Sequence, residues 1–196
     1  MKKGFTLIEL LIVIAILAIL ATAVVLVLNP AELLRQGRDS TRISDLAALN
    51  SAIALFTADV ITYTVTSTTG ICTGASIMPK SVNSTTTCAS SNSSSTAVNG
   101  AGWVPVNFNL ISGGSPLPKL PIDPNNAGTT CLGSVAICQY VYLASSTPSW
   151  TYKILANMES TKYGTLGGSD VESNTKDGGV IDTWYEVGSN LALIGL

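Results

Sequence analysis

Residues 2–28 read KKGFTLIELLIVIAILAILATAVVLVL, and this stretch decides the fold of the 196-residue chain. From residue 5 to residue 28 it is almost continuously apolar. As an α-helix rising about 1.5 Å per residue, it is long enough to cross about 30 Å of hydrocarbon. Lys2 and Lys3 precede it without an acidic neighbour, which favours a cytoplasmic amino terminus. The sequence therefore predicts a membrane span with everything after residue 28 outside the cytoplasm.

A carboxylate, Glu9, interrupts the apolar run near its beginning. An ionised carboxylate costs roughly 2.5–3.5 kcal/mol at the bilayer centre, so an acidic residue here suggests a functional role. The alternative is that Glu9 lies at the headgroups, where water and the amino-terminal dipole of the helix stabilise its charge. A simple anchor would not need it.

The segment KGFTLIELL, residues 3–11, resembles the cleavage and methylation signature of type IV prepilins and type II secretion pseudopilins. The resemblance implies that a prepilin peptidase cuts between Gly4 and Phe5 on the cytoplasmic side and that Phe5 is N-methylated. It also implies that the apolar helix stays in the mature protein. Gly4 would then let the scissile backbone enter a tight peptidase site.

Cleavage before Phe5 would place a new ammonium group one helical turn from Glu9. In a staggered bundle of helices, Glu9 of an incoming subunit can neutralise the Phe5 amine of its neighbour. In a low dielectric this attraction is amplified, and leaving the charges unpaired is costly. We therefore expect the pair to set the axial register of assembly.

Two other interpretations of the amino terminus compete with this one. An ordinary secretory signal would use Lys2 and Lys3 as its basic region and cut at Ala21-Thr22-Ala23, but its apolar core should span only about 7–15 residues. A plain membrane anchor explains the length and leaves the combination of Gly4-Phe5 with Glu9 unexplained.

The predicted domains are a leader (residues 1–4), a transmembrane and filament-core helix (5–28), an amphipathic continuation (29–59) and an extracytoplasmic head (60–196). Asn29 is predicted as an N-cap, Pro30 as the first helical residue and Glu32 as the partner that completes a capping box. Whether Pro30 kinks one helix or begins a second stays open in the sequence.

Helical spacing of apolar residues continues after Ala31 and predicts a stripe that packs against the head. The stripe consists of Ile43, Leu46, Leu49, Ile53 and Phe56. The charges on the early turns predict the pairs Arg35–Asp39 and Arg42–Asp45 on a solvated face. The alternative is that these residues form salt bridges between subunits.

The head is predicted to be a small antiparallel sheet with irregular loops, which makes the whole chain α+β and pilin-like. Predicted strands are residues 61–65, a hairpin of 139–143 with 150–155, and a last strand at 184–187. Pro105 predicts an irregular segment, and the aromatic residues of the hairpin are expected to pack across the strands. The polar stretch 81–99 predicts a surface loop with formal glycosylation sequons at Asn83 and Asn92.

Four cysteines follow the apolar segment, and their even number on the exported side favours disulfides. Three connectivities are open, and Cys72–Cys88 with Cys131–Cys138 is favoured because neighbouring pairs close short loops at low entropic cost. A site with four thiolate ligands for zinc is disfavoured because no pair has the CxxC spacing.

An acidic, glycine-rich segment near the carboxy terminus offers hard oxygen ligands that suit calcium: Asp170, Glu172, Asp177 and Asp182. Some pseudopilins that resemble this chain hold calcium in a carboxy-terminal head loop. The spacing here is not that of an EF-hand, so a solvated acidic loop is the competing interpretation, and no cofactor is required.

Composition argues against an enzyme, since the chain has no histidine and therefore lacks the imidazole of serine, cysteine and most zinc active sites. A net charge of −2 without a basic run gives no general affinity for nucleic acid. We therefore expect a structural subunit of a type IV pilus or related filament. Its partners would be copies of itself, the prepilin peptidase, inner-membrane assembly machinery and the membrane.

The precursor is expected in the cytoplasmic membrane with its head outside, and the product in a cell-surface or periplasmic filament. Two alternatives stay open: a pseudopilin of a type II secretion system, and a membrane-anchored extracytoplasmic binding domain that never polymerises.

Overall fold

The structure, a computed structural model, describes residues 4–60, 71–72, 80–82, 86–87, 95–126, 131, 138–145 and 150–193. Its helices are α1 (Leu7–Leu28), α2 (Pro30–Asp59), a short 3₁₀-helix (Phe108–Leu110) and α3 (Asn174–Asp177). Its strands are β1 (Ile71–Cys72), β2 (Lys80–Val82), β3 (Thr86–Thr87), β4 (Tyr140–Ser145), β5 (Thr151–Ala156) and β6 (Tyr185–Gly188).

Asn29 separates α1 from α2. Its φ of 41° and ψ of 74° place it in the left-handed region, which ends α1, and Pro30 then begins α2 at a position where its missing N–H costs nothing. The predicted break is therefore a boundary between two helices. The predicted capping box is wrong: the Asn29 side chain makes no capping hydrogen bond, and Glu32 instead accepts from the N–H and the hydroxyl of Thr161 at 2.7 and 2.8 Å.

Four strands form an antiparallel sheet in the order β1-β4-β5-β6, and β2 and β3 pair separately. The β4–β5 hairpin runs in register from Tyr140 opposite Ala156 to Ser145 opposite Thr151, and β6 pairs with the other edge of β5. The predicted hairpin and last strand are confirmed to within two residues. Long helices and a small antiparallel sheet make the chain α+β, as expected for a pilin-like fold.

The apolar stripe of α2 packs onto one face of the sheet. Its buried members are Leu46, Leu49, Ile53 and Phe56, whereas Ile43 is half-buried. Tyr142 stacks on Tyr152 across the hairpin with 6.5 Å between ring centroids, which confirms that these aromatic residues pack across the strands. On the opposite face, four buried residues form a smaller cluster: Val141, Leu143, Leu155 and Trp184.

The segment around Pro105 is irregular, as predicted, and still supplies core residues. Trp103 is completely buried, and its indole N–H donates to the Pro121 carbonyl at 2.9 Å, which fixes the proline-rich loop near α2. The predicted strand at 61–65, both sequons and most of the polar stretch 81–99 lie outside the described residues.

Candidate processing and assembly site

The predicted scissile bond lies in exposed, non-helical backbone immediately before α1. Gly4 and Phe5 precede the N-cap Thr6, and the Phe5 side chain is 86% exposed. A Cβ built on Gly4 would have no atom within 4 Å, so contacts within the chain do not require a glycine here. If glycine is required at this position, the requirement comes from a binding partner, such as a peptidase with a narrow active-site cleft.

Glu9 forms a capping box with Thr6 at the beginning of α1. Its Oε2 accepts from the Thr6 N–H at 2.8 Å and from the Thr6 hydroxyl at 2.7 Å, while the Glu9 N–H donates to the Thr6 hydroxyl oxygen at 3.3 Å. The sequence interpretation missed this local role, although Thr-x-x-Glu before an apolar run is its signature. Glu9 thus stabilises the helix end in addition to any role between subunits.

Helix α1 is apolar on every side and lies outside the core. Residues Leu7–Val25 have a mean hydropathy of 3.0, and none of them is buried. In water, the apolar side chains of such a helix would be exposed to solvent, which is unfavourable. The helix is therefore stable in lipid or packed against other apolar helices. The surface available for anchoring is therefore also available for assembly.

Arg42 of α2 joins the helix to the head through completely buried ion pairs. Its guanidinium donates two hydrogen bonds to Asp123, at 2.8 and 2.7 Å, one to Asp39 at 2.7 Å and one to Glu159 at 2.8 Å. Burial opposes the charged form, but these carboxylates outweigh it and raise the pKa of Arg42 further. We call Asp39, Arg42, Asp123 and Glu159 the junction cluster.

The junction cluster also organises the chain that follows β5. Asp39 accepts the main-chain N–H groups of Glu159 and Ser160 at 2.9 and 2.8 Å. Burial acts to raise the pKa of Glu159, but hydrogen bonds from Arg38 and Arg42 more than offset it and hold the pKa below its usual value. Helix α2 and the segment that follows β5 are thus joined by buried charges that are all paired or hydrogen-bonded.

Both predicted ion pairs on α2 are wrong. Arg35 lies 3.8 Å from Glu32 rather than beside Asp39, and Asp45 accepts the Tyr140 hydroxyl at 2.8 Å. Arg42 is not on a solvated face, since it is fully buried. It is therefore not available for the alternative role of binding a neighbouring subunit.

Cys131 and Cys138 form a disulfide with 5.3 Å between their Cα atoms, as favoured from the sequence. Glu159 Oε1 lies 3.4 Å from the Cys138 sulfur, so the bridge is next to the junction cluster. These three residues are the one cluster of candidate metal ligands in the described part of the chain, but sulfurs joined in a disulfide offer no thiolate. The predicted partners Cys72 and Cys88 have side chains outside the described residues.

The four calcium candidates accept hydrogen bonds from main-chain amides of the head. Asp170 accepts from Leu166 and Glu172, at 2.8 and 3.0 Å, while Asp177 accepts from Gly179 and Glu186, at 2.8 and 2.9 Å.

Asp182 accepts from the Asn174 N–H at 3.1 Å. Among the residues described, no three of the four carboxylates bring oxygens within 4.8 Å of one another. A calcium site stays a prediction, and the carboxylates already have a structural role in the fold.

Glu172 is the completely buried member of this acidic segment. It accepts the Met158 N–H at 2.7 Å and the Thr165 N–H and hydroxyl at 2.9 and 3.1 Å. Burial raises the pKa of Glu172 to about 7, because these donors only partly replace the water that the charged form loses. Its charge therefore changes near neutral pH.

A family model, the prokaryotic N-terminal methylation motif, matches residues 1–25 of the 196. No curated protein and no solved structure matches the chain. The matched residues contain Gly4, Phe5, the Thr6–Glu9 cap and the apolar span Leu7–Val25. The chain thus carries a type IV prepilin-type signature, that of type IV pilin-like and pseudopilin proteins.

Proposed function

We propose that the chain is a structural subunit of a type IV pilus or type IV pilus-like filament. It is made as a membrane-anchored precursor, cut between Gly4 and Phe5, and assembled through α1. The observation that carries this proposal is that residues 1–25, which match the methylation motif, contain both the predicted cleavage site and the exposed apolar span Leu7–Val25.

Apolar packing alone does not explain why such a helix would leave the bilayer. Lipid tails are as apolar as leucine, so transfer of α1 from lipid to a bundle of helices gains little hydrophobic free energy. Close packing of the helices and pairing of charges must therefore make the bundle more stable than the helix in lipid. Cleavage creates an ammonium group at Phe5, and Glu9 is the carboxylate that can pair with it in a neighbouring copy.

The head supports the same role because it is joined firmly to the helix. The junction cluster ties α2 to the loop after β5, and the apolar stripe of α2 lies in the main core. A force on the head is therefore transmitted to α2 through packed and hydrogen-bonded contacts. The role is structural, with the prepilin peptidase and the inner-membrane assembly machinery as its transient partners.

Processing is tested by mass spectrometry of the amino-terminal peptide from sheared extracellular material. A peptide that begins with methylated Phe5 supports the proposal, whereas an intact Met1 or a start at Val24 contradicts it. Electron microscopy of the same material measures filament length, and long surface filaments indicate a pilus rather than a pseudopilus.

A matched pair of variants separates the charge of Glu9 from its capping role. Glu9→Gln keeps an oxygen that can accept the Thr6 N–H but removes the charge, while Thr6→Ala removes the hydroxyl and keeps the charge. If the charge sets the register, Glu9→Gln abolishes filaments and Thr6→Ala retains most of them.

The opposite ranking would show that the cap, not the charge, is what assembly needs. Processing is compared in the membrane fractions of both variants, so that a defect in cleavage is distinguished from a defect in assembly. Normal insertion with no filaments in the wild type would favour the alternative of an anchored binding domain.

A further inference from the structure

Lys153 is a lysine that the fold encloses completely. It lies within β5, opposite Leu143 on β4 and Gly188 on β6, and none of its side chain is exposed. Lysine is almost never fully buried unless its amine has partners. A buried lysine is also the kind that takes part in covalent chemistry, because burial favours the neutral, nucleophilic amine.

Glu186 is the carboxyl group beside this amine. The Nζ of Lys153 donates to Glu186 Oε1 at 2.5 Å and to the Leu191 carbonyl oxygen at 3.1 Å. Glu186 is itself buried and lies diagonally across the sheet from Lys153, since it pairs with Leu155 in the β5–β6 register. The fold therefore holds an amine and a carboxyl group in contact, away from bulk water.

Main-chain N–H groups bind the other oxygen of the same carboxyl group. Glu186 Oε2 accepts from the Val180 N–H at 2.5 Å and from the Ile181 N–H at 3.2 Å. A Cβ on Gly179 would lie 1.6 Å from Oε2, so this backbone comes so close only because residue 179 is a glycine. Two N–H groups directed at one carboxyl oxygen can stabilise the negative charge that develops there when a nucleophile attacks the carbon.

We propose that Lys153 and Glu186 condense to an intramolecular amide that joins β5 covalently to β6. The ammonium group first passes a proton to Oε1, which gives a neutral amine and a carboxylic acid. The lone pair of Nζ then forms a bond to Cδ of Glu186, and the C=O electron pair moves to Oε2, where the N–H groups of Val180 and Ile181 stabilise it.

The second half of the reaction releases water. When the C=O bond to Oε2 forms again, the bond between Cδ and Oε1 breaks, and Oε1 leaves as water after it takes a second proton from the nitrogen. One amine and one carboxyl group thus give one amide and one water molecule. The step needs no oxidant, reductant or co-reactant.

The buried position favours the amide over the ion pair. Two charges held out of water carry a desolvation penalty that a neutral amide avoids. The fixed contact between the two groups replaces a bimolecular encounter, which raises the rate of reaction strongly. Hydrolysis of the amide would need water to enter a site where Lys153 has no exposed surface.

The cross-link would fasten the carboxy-terminal strand to the hairpin on the face of the sheet away from α2. It closes a loop between residues 33 positions apart. By the chain-entropy argument used for disulfides, a loop of this length lowers the equilibrium constant for unfolding by roughly 500-fold. Reductant would leave the amide intact, and the inference does not depend on assembly into a filament.

The test is a tryptic digest of the full-length protein, reduced and denatured beforehand. A chain without the amide is cut after Lys153 and gives the linear peptides 120–153, 154–162 and 177–196. Since the amide blocks this cut, we expect a branched peptide in which residues 120–162 are joined to residues 177–196. Its mass should be lower than the sum of its two parts by one water molecule. A digest that contains only the linear peptides would show an ordinary ion pair and overturn the proposal.

A matched pair of variants assigns the bond to Lys153. Lys153→Arg keeps a cation for Glu186, but a guanidinium stays protonated and does not condense, so the branched peptide should be lost. Lys162→Arg changes an exposed lysine and should keep the branched peptide. On a denaturing gel with reductant, the wild type should migrate ahead of Lys153→Arg because its loop is closed. A branched peptide that persists in Lys153→Arg, or equal migration of the two proteins, would overturn the proposal.

Discussion

Replacing Arg42 with Met tests how the head is held on its helix. Met preserves much of the side-chain volume but leaves the carboxylates of Asp39, Asp123 and Glu159 buried without their shared cation. Removing one partner of a buried ion pair typically costs about 3–5 kcal/mol. Arg38 still pairs with Glu159, so the main penalty should fall on Asp39 and Asp123. We expect the free energy of unfolding of the head to fall by about 4 kcal/mol.

The assay is denaturant unfolding of the full-length protein in detergent, followed by tryptophan fluorescence. The three tryptophans all lie in the head, so the signal reports the head and not α1. Arg35→Met is the control, because its ion pair with Glu32 is partly exposed and such pairs contribute only about 0–1 kcal/mol. Arg42→Lys keeps the positive charge but loses the two-bond contact with Asp123. Its free energy of unfolding should therefore lie between those of Arg42→Met and the wild type.

The pH dependence of the free energy of unfolding gives a second, independent test of the junction cluster. In the wild type, Glu159 has a lowered pKa, so its contribution is present above its unfolded pKa and is lost as the pH falls through its folded value. In Arg42→Met, Glu159 keeps Arg38 but loses the Arg42 donor that helps to hold its pKa down, so this contribution to stability is smaller. The stability deficit should therefore shrink as the pH falls below 4.5 and through the folded pKa of Glu159. A deficit below 1 kcal/mol that does not change with pH would refute this account of the junction.

Two further predictions concern the loops beyond the junction. The contribution of Glu172 to stability is complete below its unfolded pKa of 4.5 and is lost as the pH rises through its folded pKa of about 7, which lowers the free energy of unfolding by about 3 kcal/mol. Glu172→Gln should remove this pH dependence of the free energy of unfolding between pH 5 and 8. An unchanged dependence would contradict the raised pKa of Glu172. Replacing both Cys131 and Cys138 with Ser should lower the free energy of unfolding by about 2 kcal/mol. Excess reductant should destabilise the wild type by more than this, because it would also break the predicted Cys72–Cys88 bridge, whereas an equal effect would contradict a contribution from that bridge.

The parts of the fold that the sequence predicted are those whose signals are local. The length of the apolar run decides α1, and the alternation of aromatic and aliphatic residues on both sides of a turn decides the β4–β5 hairpin. The break before Pro30 was also visible, because proline lacks the donor that a continuous helix needs. In each case a few neighbouring residues carry the whole argument.

The junction cluster could not be predicted because its partners are remote in the chain. Arg42 finds Asp123 across 81 residues and Glu159 across 117. On the sequence alone, an arginine three residues from an aspartate on a helix is best interpreted as a solvated pair. Burial reverses that interpretation, since a charge that loses its water must be paired several times over.

The Thr6–Glu9 cap was readable and changes how Glu9 is understood. The cap uses the Thr6 N–H and hydroxyl, neither of which the proposed cleavage before Phe5 would remove, so the same cap can hold the carboxylate in precursor and mature protein. In the proposed filament, the Phe5 ammonium then meets a carboxylate whose geometry is already fixed. Both hydrogen bonds that Glu9 accepts from Thr6 end on Oε2, so the cap does not use Oε1. A capped Glu9 is therefore better suited to set a register than a free one, because less side-chain entropy is lost when the pair forms.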